Sequence, residues 1–512
     1  MTLCIGFCLL LAGLVAAWPL RAAESAPVRV EARLLTPITT YSTRTGSTFE
    51  AAVTTPLCGL EGELPEGTVI RGSVSHLHRV GLGFLHETAS LRLEFSTVHL
   101  ADGSDYPVEA HLASIDNARE RVDSHGTIHG ERATSTLSNR FSERLAFLAM
   151  GHPMAMIPLF AIESGFFRFP DPEIHYRRGT EFNLDVRFPE GMGEVSACEA
   201  APMDLSLDDR LELDRIVDEL PYWSYSKRQR QPIDLVNLMF VGSQESLERA
   251  FNGAGWTGSR PNSMRNGMGA IRAIVESHEF SDAPMRTLML DGHEPALRLQ
   301  KSLNTFEMRH HMRIWARDDE WRGRQLWASA ATQDIGTTFS FHPFGFTHQI
   351  QVEVDRERDK VVSDLVYTGC VDSVTYVQRP ESLRQSGFVY RRGVSSDSRV
   401  AVVSLNACEQ PRLDLVGGPE PAGPRTLVKF VRRVTLTARN HFLRDNWYWR
   451  SADAARIAFV RLRDWDRQSR QESRARQREF GIAAKVTVSS GGTYYLALAN
   501  TVAYRGRSCQ PS

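Results

Sequence analysis

His311, Arg313, Asp334, His348 and Arg358 are the residues of this 512-residue chain whose types and spacing point to chemistry. Guanidinium groups, imidazoles and a carboxylate are the ingredients for binding a phosphate or carboxylate, with a histidine as acid or base. Side chains alternate across a strand, so in His311-Met312-Arg313-Ile314-Trp315 the His, Arg and Trp share one face. Met312 and Ile314 then face a core. Asp334 ends a neighbouring strand and His348 lies in a connecting segment, so both can converge on the same spot. On a later helix Asp355, Arg358 and Asp359 lie one turn apart, beside the apolar stripe Val361, Val362 and Leu365. The same set also fits a structural role. Asp355, Arg358 and Asp359 would then cap and brace their helix, and His311 with Arg313 would satisfy backbone groups beneath Trp315 and Trp327.

No metal or other cofactor is expected. His311, Asp334 and His348 match no standard ligand spacing, and His76, His78 and His86 read as an incidental imidazole pair with a neighbour. The chain also has no Gly-x-Ser-x-Gly elbow, no Gly-x-x-x-x-Gly-Lys loop, no His-Glu-x-x-His pair and no dinucleotide fingerprint. Whether the polar set binds, catalyses or only braces is therefore open.

The elements that must position these residues begin with a connecting helix over Asp204–Leu220, where Leu207, Leu211 and Ile216 recur near helical spacing. A strand-like run, Leu235–Val241, ends at Gly242, and Ser243 offers the N-cap of a helix that stops at Gly253-Ala254-Gly255. Short strands are expected at Thr287–Leu290, His310–Trp315 and Leu326–Ala331. Asp355 opens a helix to about Tyr367, and strands near Val371–Val377 and Val400–Leu405 close the unit. This β-α-β-β-β-α-β order predicts an α+β domain with helices on one face of a mixed sheet.

Between Asp234 and Cys408 the chain carries an ordered set of motifs. They run from Asp234-Leu235-Val236-Asn237 and Val241-Gly242-Ser243 through Ala254-Gly255-Trp256 to His311-Met312-Arg313-Ile314-Trp315. Leu326-Trp327, Gln333-Asp334-Ile335-Gly336, Thr347-His348, Val354-Asp355-Arg356-Glu357-Arg358-Asp359 and Asp397-Ser398-Arg399-Val400 complete it. In this order the region, residues 230–408, resembles the LssY C-terminal domain, a bacterial family named from a type I secretion locus. In many members that domain sits beside membrane-embedded lipid phosphatase or DedA-like domains, neither of which is visible here. The resemblance implies an envelope role and carries no established activity.

Residues 28–202 alternate apolar and polar positions in short segments such as Ser90–Phe95 and Phe182–Phe188, punctuated by turns at Asp102-Gly103 and Pro189-Glu190-Gly191. A β-rich barrel or sandwich is expected. Leu64-Pro65-Glu66-Gly67-Thr68-Val69-Ile70-Arg71-Gly72, followed by Ala101-Asp102-Gly103, resembles the small β-barrel modules of envelope secretion components. Ala146–Ile162 is an uncharged stretch apart from His152, read as buried core or an apolar loop, with a membrane-dipping segment as the alternative. Residues 417–424 are a Gly/Pro linker, and 425–512 a small C-terminal α/β segment with an Arg-rich helical run, read as a solvated face.

Leu3–Leu20 is apolar and ends among small residues, so residues 1–23 read as a signal peptide, with an uncleaved anchor as the alternative. Export places the mature chain in the periplasm or envelope, where cysteines oxidise. The five cysteines beyond the signal suit two disulfides and one spare, with Cys58–Cys198 and Cys370–Cys408 as the domain-internal pairs and isolated thiols as the alternative. A net charge of −1, 42% hydrophobic and 24% charged residues exclude a disordered tail and a nucleic-acid coat. Envelope or secretion proteins and the membrane remain as partners. The role expected is accessory, by scaffolding or ligand binding; the rival is a hydrolase acting on a phosphate-bearing envelope substrate through the five residues named first.

Overall fold

In the computed structural model the described residues are 27–132 (without 56, 60–61 and 64–67), 171–189, 195–197, 202–227, 232–260, 264–341, 344–380, 394–411 and 423–439, with isolated positions elsewhere. The segment read as a signal peptide, Ala146–Ile162, Cys198 and most of the C-terminal segment lie outside them. The chain divides into two compact units, Met1–Thr437 and Ala438–Ser512. All that follows concerns the first.

Six strands build the N-terminal part: β1 (Val28–Leu34), β2 (Thr48–Val53), β3 (Val69–His78), β4 (Ser90–His99), β5 (Asp105–Ile115) and β6 (Glu181–Arg187). Their order is β3-β2-β1-β6-β5-β4, and β4 pairs back onto β3, so the sheet closes into an antiparallel barrel. Alternation drives this. Leu91, Leu93 and Phe95 of β4 point inward, while Arg92 and Glu94 lie between them on the outer face. Phe49, Phe95, Phe182 and Tyr176 meet edge to face in the interior. Gly72 sits at a bulge, where a Cβ would fall 2.3 Å from the Glu94 carbonyl oxygen and 2.6 Å from the Phe49 ring, so no larger residue fits. Closure leaves no open edge among these six strands.

The second sheet comprises β7 (Leu238–Val241), β8 (Leu297–Lys301), β9 (Met308–Trp321), β10 (Arg324–Phe341), β11 (Phe344–Ile350), β12 (Val371–Gln378) and β13 (Arg399–Leu405). Its order is β8-β9-β10-β7-β13-β12, with the short strand Thr257–Gly258 paired outside β8 and β11 added along β10. Only the β7–β13 pairing is parallel among these strands. Five helices lie wholly within the described residues: α1 (Leu207–Glu219), α2 (Gln244–Gly253), α3 (Met264–Glu276), α4 (Val354–Tyr367) and α5 (Thr426–Arg439).

The expected one-sided helix layer is only half of the arrangement. Leu238 and Phe240 of β7 join α2 and α4 in one core. Met239 and Val241 face the opposite way, into a second core that holds Leu213, Ile216 and Val217 of α1. Helix α1 thus covers the other face of the sheet rather than merely connecting. The run Leu235–Val241 also splits, because Pro232–Leu235 pairs with Trp223–Ser226 in a separate three-stranded sheet. Strands β9 and β10 outrun the expected His310–Trp315 and Leu326–Ala331. The extension of β9, Arg317–Glu320, is charged and largely exposed, so it lacks the apolar alternation that marks a half-buried strand.

Other local expectations hold. Ser243 caps α2 by accepting from the Ser246 N–H, and Ser206 caps α1 through Asp209. Cys370 and Cys408 form a disulfide that links the segment after α4 to the segment after β13. Cys58 is also disulfide-bonded, and Ser196–Ala197, immediately before Cys198, pairs with its strand.

Candidate functional site

Strands β9, β10 and β11 bring three of the five candidate residues together. The register places Arg309 opposite Asp334 and His311 opposite Thr332, and a bulge beyond Asp334 lets β11 deliver His348. His311 Nε2 lies 3.0 Å from Asp334 Oδ1, and His348 Nδ1 lies 3.4 Å from Asp334 Oδ2. Arg309 Nε donates to Asp334 Oδ2 at 3.0 Å, and its Nη1 donates to Gln300 Oε1 at 2.8 Å. The Thr332 hydroxyl contacts the His311 ring at 3.1 Å. Phe306 walls the group, edge-on to His348 and beneath the Arg309 guanidinium.

Electrostatics follow from that packing. Burial would raise the Asp334 pKa, but His311, His348 and Arg309 hold it well below the ordinary carboxylate value. Burial pushes His348 down to about 4 against the pull of Asp334, so its imidazole is neutral at pH 7. The site is therefore a buried carboxylate flanked by a guanidinium and two imidazoles, with His348 at its more open margin. Such a group can hold or pass a proton. Among the described residues, no group of three or more His, Cys, Asp or Glu side chains is placed to hold a metal ion.

Arg313 and Arg358 are elsewhere. Arg313 shares the face of His311, as strand alternation requires, but Nη1 donates to Asp234 Oδ2 at 2.6 Å and Nε to the Arg286 carbonyl. Arg358 lies on α4 and is buried. Its guanidinium donates to both oxygens of Asp397, at 2.7 and 3.1 Å, and to both oxygens of Asp359. It also reaches Asp355 and the Arg399 carbonyl, under the Tyr376 ring. Both cations are thus engaged by carboxylates.

A larger charged group, missed in the sequence, lies where the barrel meets the second sheet. Arg33 of β1 donates to Glu181 of β6 at 2.8 Å and to Asp364 of α4 at 2.7 Å. Lys301 of β8 and Lys360 of α4 each bridge to Glu181, and Trp256 Nε1 donates to Asp364 at 3.1 Å. His310, on the opposite face of β9 from His311, sits between Asp116, just after β5, at 2.6 Å and Glu357 of α4 at 2.7 Å. Burial alone would lower its pKa, but those two carboxylates lift it to about 10. One signal for this joint was present. Glu357, Lys360 and Asp364 recur at helical spacing along α4 as a charged stripe.

Residues 218–390 match the family model described as LssY C-terminus. That segment of the chain is similar to the LssY C-terminus family. The match contains Arg309, His311, Asp334, His348 and every residue of α4. It stops short of Asp397 and β13, although β13 pairs with β7 at the centre of the sheet. The barrel lies outside the match. No curated protein matches the chain.

Proposed function

We propose that the protein is an exported, accessory component of the cell envelope, in which the barrel and the LssY-like domain bind or hold a partner rather than turn over a substrate. The observation that carries this reading is the commitment of the candidate cations. A phosphate-processing site needs guanidinium donors turned toward a ligand. Arg313 and Arg358 instead spend theirs on Asp234, Asp359 and Asp397, and Arg309 is turned onto Asp334 and Gln300. A disulfide in the core fits an oxidising compartment, which supports export. Among the described residues, no helix is long and apolar enough to cross a membrane.

The convergence of His311, Asp334 and His348 favours a second reading, a hydrolase using a His–Asp pair as acid or base on a phosphate-bearing envelope substrate. The test is a phosphomonoester and phosphodiester panel on the exported chain, with metal analysis, for wild type and His311→Ala. The accessory reading expects no turnover that depends on His311. Turnover lost at least about a hundredfold in His311→Ala, the contribution of a positioned acid or base, overturns it.

A further inference from the structure

Six arginines are buried among the described residues, and five of them are held by carboxylates. Arg33, Arg309, Arg313, Arg358 and Arg432 each donate to an aspartate or glutamate at 2.6–3.0 Å. Arg379 is the exception. It follows β12, the last strand of the second sheet, and is 3% exposed. Its Nε, Nη1 and Nη2 are all shielded from solvent, and none has a hydrogen-bond acceptor among the described residues. A buried cation without a counter-charge is strongly destabilising unless a further group supplies the acceptor.

The guanidinium is nevertheless held in place. The Arg379 backbone N–H donates to the Ser398 carbonyl at 3.1 Å, and the Arg379 carbonyl accepts from Gln378 Nε2 at 3.2 Å. The charge lies over the Tyr222 ring, 4.3 Å from its centre. Tyr222 is itself tied down, since its carbonyl accepts from the Val236 N–H at 2.9 Å. The ring attracts the cation but offers the N–H groups no oxygen. Asp218 of α1 pulls on the charge without making an ion pair. Burial lowers the Arg379 pKa to about 10 against the pulls of Tyr222 and Asp218, so the group is a cation at neutral pH. The surface is close, because Gln378 and Pro380 on either side are exposed and Tyr222 is half-buried.

These features define what would complete the site. A planar cation with an unused fork of donors matches a group that has two oxygens and one negative charge. A dianionic phosphate would carry a second, uncompensated charge into the same buried spot. We propose that Arg379, set over Tyr222, binds a monoanionic oxyanion, the carboxylate or phosphodiester group of a ligand. The site shares no residue with the His311–Asp334–His348 cluster and stands whether or not that cluster is catalytic.

The full chain, recovered after export, is melted in sodium chloride, sodium acetate and sodium dimethyl phosphate at equal ionic strength. Acetate or dimethyl phosphate should raise the wild-type melting temperature saturably, by at least about 2 °C over chloride, as a ligand of the folded state does. A rise in acetate alone assigns a carboxylate, and a rise in dimethyl phosphate alone a phosphodiester. Arg379→Met keeps the packing of the stem and drops the charge. It should melt no lower than wild type in chloride and gain nothing from either anion. Arg379→Lys keeps the charge and loses the fork, so half of the rise should need at least about tenfold more anion. No rise in wild type beyond chloride overturns the proposal. So does an equal rise in Arg379→Met, which would be a general salt effect, or a lysine variant that matches wild type. A several-degree fall for Arg379→Met in chloride overturns it too, since the guanidinium would then already be held by a carboxylate of the chain.

Discussion

At the scale of single residues, Asp334 and His348 set how the cluster responds to acid. His348 is held at about 4 in the folded protein against 6.5 ordinarily, because burial disfavours its cation. A depressed folded pKa means that stability is complete above 6.5 and declines as pH falls toward 4. The decline amounts to roughly 3 kcal/mol, at about 1.4 kcal/mol per pH unit. Urea titrations at pH 7 and pH 4.5 should therefore show a pH slope that His348→Asn removes. Asp334 acts in the same direction but lower, its contribution being lost only below the ordinary carboxylate value of 3.8. Replacing it leaves Arg309 without its buried carboxylate. Asp334→Asn should cost about 3–5 kcal/mol in the same urea titrations at pH 7. Strand alternation made the face of His311 legible in the sequence, whereas Asp334 and His348, read as a strand end and a connecting segment, lie inside β10 and β11. The bracing of Arg358 by Asp355 and Asp359 was legible as helix spacing, but the bonds of Arg313 and Arg358 to more distant carboxylates were not. Their carboxylates, Asp234 and Asp397, lie 79 and 39 residues away, and sheet register together with the docking of α4 brings them close.

At the scale of elements, α4 is the piece that ties barrel to sheet. One side of it, through Val361, Val362 and Leu365, enters the core beneath β7 and β13. Another side carries Glu357, Lys360 and Asp364 into the charges of β1, β6 and Asp116, just after β5. Sequence periodicity showed the first side and gave no account of the second, since a charged stripe reads as solvated until a second charged surface faces it. His310 gives this joint an alkaline limit. Its folded pKa of about 10 exceeds the ordinary 6.5, so its contribution is complete below pH 6.5 and is lost as pH rises toward 10. His310→Gln should flatten the fall in stability measured between pH 7 and pH 9.5. Arg33 is the other sensitive point, because it neutralises Glu181 and Asp364 in a site where its side chain is 2% exposed. Arg33→Met should destabilise by about 3–5 kcal/mol, as expected when one partner leaves a buried ion pair.

At the scale of the whole molecule, the charged joint makes the barrel and the LssY-like domain depend on each other. A free LssY-like domain would expose Lys301, Lys360, His310 and Glu357 without the barrel carboxylates and Arg33 that compensate them, and a free barrel would leave Arg33 and Glu181 short of partners. Separate unfolding would therefore cost each part its ion pairs in addition to its own packing. The Cys370–Cys408 disulfide lets this be tested from one side. It lies in the sheet domain, far in sequence from the barrel strands, and closes a loop of 38 residues. Removing such a cross-link costs about 4 kcal/mol on the chain-entropy account. Alanine suits the replacement, since both cysteines are buried beside apolar neighbours and serine would add unpaired hydroxyls. In Cys370→Ala with Cys408→Ala, amide hydrogen exchange in β1–β6 should accelerate in step with exchange in β7–β13, because the barrel opens only when the joint opens. Protection of the barrel strands that stays at the wild-type level while the sheet domain loosens would mean two independent domains, with the buried charges stabilising neither across the boundary.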